Sequence, residues 1–99
     1  MRKVTLSDHA LSDATACALF YERQEQGADD YFATHLEAAL DSLALIHGIH
    51  PRKGKLFWML LPKFPYAIFY REYPDTTEVV AIIDQRRDPR WIRRQLRTR

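Results

Sequence analysis

Arg86, Arg87, Arg90 and Trp91 fall within six consecutive residues, with Asp88 among them and Asp84 two residues before. Guanidinium groups at this density suit an anionic or acidic partner, because each presents a rigid fork of donors matched to carboxylate or phosphate. Arg93 and Arg94 follow at once and extend the candidate partner-binding set to Arg86, Arg87, Arg90, Trp91, Arg93 and Arg94. The residues just before, Val79 to Ile83, are almost wholly apolar and β-branched, the pattern of a buried central strand. A strand that ends where the charge begins would present the arginines from a rigid support. A plainer reading makes Arg93, Arg94, Arg97 and Arg99 a solvated tail. Trp91 likewise has two readings, stacking on a partner or closing the core beneath a terminal helix.

The formal net charge of +2 conceals a division. Residues 1–50 carry three basic and eight acidic side chains, and residues 51–99 carry twelve basic and five acidic ones. Opposed halves of this kind point to one face adapted to a polyanion or an acidic protein segment.

The elements that must position these groups follow from periodicity. Lys3 to Leu6 alternates and reads as a short first strand. Ser7 is a candidate N-cap for a helix to about Gln24, with Ala10, Ala14, Cys17, Ala18 and Tyr21 inward. Gly27 breaks it. A second helix, from about Asp29 to Ile46, places acidic residues at its positive dipole end and a stripe of Phe32, Leu36, Ala39, Leu40, Leu43 and Ile46 on one face. The short turn between the helices makes them an antiparallel hairpin.

Beyond residue 46 the period changes. His47 to Gly54 reads as a loop, Lys55 to Leu61 as a strand, Pro62 to Pro65 as a turn, Tyr66 to Glu72 as a strand, and Pro74 to Thr76 as a turn before Val79. Connections this short make neighbouring strands antiparallel, since a parallel crossover needs about a dozen residues or more. Asp88 and Pro89 suit the N-cap and first position of a short C-terminal helix to about Arg97. The expected fold is α+β: an N-terminal strand and an antiparallel helical hairpin packed on a small antiparallel sheet, with a short C-terminal helix, in a single domain over residues 1–99.

Other chemistry is poorly supplied. Cys17 is the one cysteine, with apolar neighbours that favour a buried thiol. His47 and His50 sit in a Gly/Pro loop with no Cys or acidic residue close by, so no zinc site is expected. The three glycines make no phosphate-cradling loop. No cofactor is expected. No run approaches the roughly 20 apolar residues of a membrane span, and the first residues lack the apolar core of a signal peptide, so a cytoplasmic location without membrane contact is the expectation.

The order strand, helical hairpin, three-strand meander, together with FPYAIFY at 64–70 and RRDPRW at 86–91, resembles the RelE/ParE superfamily of toxins from type II toxin-antitoxin modules. The resemblance implies a small toxin neutralised by a cognate antitoxin that wraps around it in a hetero-oligomer. It also implies growth arrest by one of two routes, ribosome-dependent cleavage of mRNA or inhibition of DNA gyrase.

Chemistry separates the routes. Cleavage through the 2′-hydroxyl needs a base, a cation for the developing charge and an acid for the leaving oxygen. The ribonucleases that this chain resembles commonly carry an arginine near the start of the strand matching Tyr66 to Glu72, and a terminal Tyr or His. Here that strand opens Tyr66, Ala67, Ile68, Phe69, and no Tyr or His follows Trp91. The chain is therefore more similar to the ParE branch, with no catalytic residue expected. In the ribonuclease alternative, Lys53, Lys55 and Lys63 hold phosphates, an arginine among Arg86, Arg87 and Arg90 stabilises charge, and Tyr66 or Asp84 moves protons. The plainer roles are ring packing for Tyr66 and an arginine partner for Asp84. A further alternative is a non-toxic interaction scaffold on the same fold.

Overall fold

A computed structural model of the chain describes residues 2–99. The elements run β1 (Lys3–Leu6), α1 (Asp8–Gln24), α2 (Ala28–Leu43), β2 (Arg52–Lys53), β3 (Leu56–Leu60), β4 (Tyr66–Glu72), β5 (Thr76–Asp84) and α3 (Pro89–Arg97). The sheet order is β1-β5-β4-β3-β2. The fold is α+β as expected, but the sheet is mixed. The meander is antiparallel, whereas β1 pairs in parallel with β5 from Lys3↔Thr76 to Leu6↔Val79.

Local chemistry fixes the ends of the helices. Ser7 Oγ accepts from the Ala10 N–H at 3.1 Å and starts α1. Gly27 takes a left-handed conformation, φ +89°, between the helices, and Glu22 Oε1 accepts from the N–H groups of Gly27 and Asp29. The second helix stops at Leu43 rather than Ile46, so Ile46 leaves the inward stripe and is exposed. The following loop is drawn aside by polar anchors: the Gly48 N–H donates to Tyr70 Oη at 3.0 Å, His50 Nδ1 meets the same hydroxyl, and His47 Nδ1 lies 3.1 Å from Glu72 Oε2. Inside the expected loop, Arg52 and Lys53 form the short β2. Thr76, expected in a turn, already belongs to β5.

One bulge decides how the sheet is used. Phe69 pairs with Ala81 and Tyr70 with Val79, leaving Val80 as the extra residue. That insertion turns Val79 and Ile82 towards the helical hairpin, and Val80, Ala81 and Ile83 towards the opposite face. The sheet is therefore apolar on both sides. One core joins Phe32, Leu36 and Leu43 to Ile68, Tyr70 and Val79. The other joins Phe69, Val80 and Ile83 to Ile92, with Trp91 and Leu96 packed against it, so α3 lies across the sheet from α1 and α2. Leu40, expected in the core, is only partly buried at its margin.

Candidate functional site

The end of β5 builds the arginine corner by a repeated device. Asp84 accepts from the main-chain N–H of Arg86 at 2.9 Å and from its Nε and terminal nitrogen at 3.0 and 2.8 Å. Four residues on, Asp88 accepts from the Arg90 main-chain N–H at 2.8 Å and lies 3.4 Å from its guanidinium. Each aspartate closes a turn on the residue two ahead and orients that residue's side chain. The hydrogen bond from Arg86 holds the Asp84 carboxyl below the usual carboxylate range, and the Arg90 N–H does the same for Asp88. Both arginines remain largely in solvent, at 72% and 76% of side-chain exposure, so their charge is presented outward.

Arg87 is used differently. Its guanidinium lies 3.8 Å from the centre of the Trp91 ring, a cation–π contact, and no carboxylate pairs with it among the described residues. Trp91 follows its core reading in part, packing against the second core, while its ring carries the guanidinium of Arg87. Arg86, Arg87 and Trp91 border a cleft of about 320 Å³ whose other walls include Ala16, Phe20 and Tyr66. Phe20 is 54% exposed and adds an apolar rim opposite the arginines.

The six candidate residues do not form one cluster. Arg86, Arg87 and Trp91 meet at the cleft, while Arg90 and Arg94 are exposed on α3. Arg93 borders a separate groove of about 380 Å³ with Lys53, Lys55, Arg71 and Arg97. Of the three lysines read as phosphate holders, Lys53 and Lys55 therefore lie with Arg93 and Arg97, and neither these two nor Lys63 lines the cleft with Arg86.

Two groups expected to move protons in the ribonuclease reading are committed elsewhere. Tyr66 is buried in the first core, and burial together with bonding to Tyr21 drives its phenol far above the ordinary value. Asp84 already accepts from Arg86. Cys17 is buried as expected, and that burial raises its thiol. The corner can bind an anionic or aromatic group, and its Asp84 carboxylate is already engaged by Arg86.

Sequence reasoning missed Arg99 and Asp13. Arg99, read as tail, turns back to pair with the Asp13 carboxylate, and both border the cleft. The signal was present: Asp13 stands between Ala10 and Cys17 on the inward stripe of α1, where a charge needs a partner.

No helix among the described residues is long and apolar enough to cross a membrane. No curated protein sequence matches the chain. Among solved structures, one described as the chromosomal ParDE TA system from P. aeruginosa is similar, with a TM-score of 0.70 over 85% of this chain and 96% of that one. At 12% identity, that likeness speaks for the fold. The family model described as the ParE toxin of type II toxin-antitoxin system, parDE, matches residues 4–89, from the first strand to the start of the last helix. A match of that extent places the chain in the ParE toxin family of type II toxin-antitoxin modules.

Proposed function

We propose that this ParE-type toxin arrests growth by binding DNA gyrase without chemistry of its own, as a single cytoplasmic toxin domain over residues 1–99. Arg86, Arg87, Arg90 and Trp91 make the target contact, and Arg93 and Arg94 add charge beside it. A cognate antitoxin neutralises the toxin by covering cationic surface with an acidic segment. The observation that carries this reading is the pairing of an accessible Arg87–Trp91 stack with proton-transfer candidates that are already committed. A stacked guanidinium and indole at a cleft rim is the composition of an interface hot spot. The separation of Lys53 and Lys55 from the arginine cleft also counts against a ribonuclease.

A gyrase supercoiling assay and a ribosome-programmed mRNA cleavage assay, run on one preparation of the purified toxin, test the reading. Loss of supercoiling or trapped cleaved DNA is expected, together with intact mRNA. Discrete mRNA cuts that vanish in Arg86→Ala, with supercoiling untouched, would favour the ribonuclease route. Inertness in both assays and in growth would favour a binding scaffold.

A further inference from the structure

Arg2, Arg86, Arg90 and Arg99 each have a carboxylate within ion-pair distance, and Arg52 and Arg87 lie over the rings of Phe57 and Trp91. The cations of the second groove differ. Lys53, Lys55, Arg71, Arg93 and Arg97 border one space of about 380 Å³, and none of the five is ion-paired among the described residues. Glu78 stands opposite Arg71 in the register of β4 and β5, yet the two form no ion pair, and no acidic side chain lines the groove. Arg71 turns instead towards the Arg99 main-chain carbonyl, at 3.5 Å.

Three elements converge to gather these charges. Gly54, left-handed at φ +64°, closes the hairpin between β2 and β3 and leaves Lys53 and Lys55 on either side of it. β4 brings Arg71 near its end. On α3, Arg93 and Arg97 are four residues apart and share a face, where like charges repel. The helix dipole favours a cation in the last turn and so accounts for Arg97, but it gives no reason for two lysines and a second arginine to meet it across a groove. Cations crowded into one concave space focus a positive potential that a bound polyanion relieves.

The rest of the lining narrows the choice of polyanion. Besides the cations it consists of Gly54, Leu56 and Leu96. No aromatic ring is present to stack on an unpaired base, the contact on which single strands depend. No hydroxyl or amide side chain is present to read a base edge or a 2′-hydroxyl. Charge alone remains, which is the sequence-independent mode of phosphate contact. Arg93 and Arg97 are separated by about 6 Å along the helix axis, close to two phosphate steps of about 3.4 Å along one strand of a duplex. We propose that this groove holds the phosphodiester backbone of duplex DNA without regard to base sequence, between Lys53 and Lys55 of the hairpin and Arg93 and Arg97 of α3. The contact is separate from the Arg87–Trp91 cleft and does not depend on gyrase being the target.

The test is fluorescence anisotropy of a labelled DNA duplex of arbitrary sequence, titrated with the full chain between about 50 and 200 mM salt. Five phosphate contacts predict a slope of log K against log salt of about −4 to −5, a loss of affinity of about a few hundredfold over that range. Lys53→Gln combined with Lys55→Gln should make the slope shallower by about 2. Arg23→Gln combined with Lys63→Gln, an equal change of net charge outside the groove, should leave the slope in place. On the unaltered protein, bound duplex should shield Lys53 and Lys55 from chemical acetylation while Lys63 reacts as in the free chain. That footprint decides the matter even if the double variant fails to fold. A single strand of the same sequence, the matching RNA duplex and polyglutamate should each bind more weakly than the DNA duplex. Tighter binding of polyglutamate would give the groove to an acidic protein, and tighter binding of the single strand or the RNA would give it to those ligands; each would overturn the proposal. Equal losses from both pairs of substitutions, or unshielded Lys53 and Lys55 at saturating duplex, would overturn it as well. None of these readouts contains gyrase, so failure of the gyrase reading is registered separately by the supercoiling assay.

Discussion

Arg99 donates to both carboxylate oxygens of Asp13, one of the contacts at 3.2 Å, and thereby ties the residues after α3 to the inward face of α1. Only 9% of the Arg99 side chain and 19% of Asp13 remain exposed. The pair also engages the β5 main chain at Ile82 and Val80, so one ion pair links elements on both sides of the sheet.

Breaking that link should be costly. Asp13→Ala and Arg99→Ala are each expected to lose about 1 to 3 kcal/mol, because either leaves a desolvated partner and an unmet main-chain group. The double variant should lose less than the two losses summed. Urea denaturation of the four proteins gives the coupling, and strictly additive losses would show that the two do not act as a unit.

The hairpin core sets a second expectation. Leu43 is fully buried, and Leu43→Ala should cost about 2 to 5 kcal/mol. Leu40→Ala, at the core margin, should cost about half as much or less. Glu25→Ala, on the exposed turn between α1 and α2, should stay within about 0.5 kcal/mol. Thermal or denaturant melts that ranked Leu40 above Leu43 would contradict the observed end of α2.

Acid should destabilise the protein in two windows. Burial lowers the His50 pKa from its ordinary 6.5, against the pull of Glu72, so the folded state disfavours the charged ring. The unfolded chain then takes up the proton first, and stability falls as pH drops below 6.5 through the folded value. Asp84 acts at lower pH: its folded pKa lies below 3.8, so its contribution is present above 3.8 and is lost as pH falls through the folded value. Stability measured from pH 7.5 downward should show the first loss, and His50→Gln should flatten it. A wild-type curve flat from pH 7.5 to pH 5 would refute the His50 assignment.

The proposed contact with gyrase gives the fourth expectation. Arg87→Glu should weaken gyrase inhibition by about tenfold or more while leaving the melting temperature nearly unchanged, since Arg87 is exposed and touches Trp91 only through its face. Arg87→Lys keeps the charge but loses the planar stack and should fall between wild type and Arg87→Glu. Equal inhibition by all three proteins would remove Arg87 from the interface.

Local chemistry made much of this legible in advance. The Tyr66–Glu72 strand, the Ser7 cap and the Asp88-Pro89 helix start appear where turn residues and periodicity placed them. Long-range features did not declare themselves. The parallel partner of Lys3–Leu6, the Val80 bulge and the return of Arg99 depend on residues far apart in sequence, which no local window contains. Helix 2 overran for a related reason: Ile46 continues the stripe, but Tyr70 and Glu72 hold the next residues through His47, Gly48 and His50. For the arginine corner, sequence supplied the residues but not their division between two grooves, because the facing that separates Arg87 from Arg93 comes from how α3 settles on the sheet.

The parallel pairing of β1 with β5 also orders events during synthesis. Val4 and Leu6 emerge from the ribosome early, yet their strand partner, Thr76–Val79, is translated only after both hairpin helices and the first strands of the meander. A nascent chain can therefore form α1 and α2 as fluctuating helices but cannot close the sheet around them, since a contact so distant in sequence must wait for both ends. The corner that carries Arg86 and Arg87 lies beyond even that partner, so binding competence should arise late and all at once. A translation product interrupted before the end of β5 would lack it.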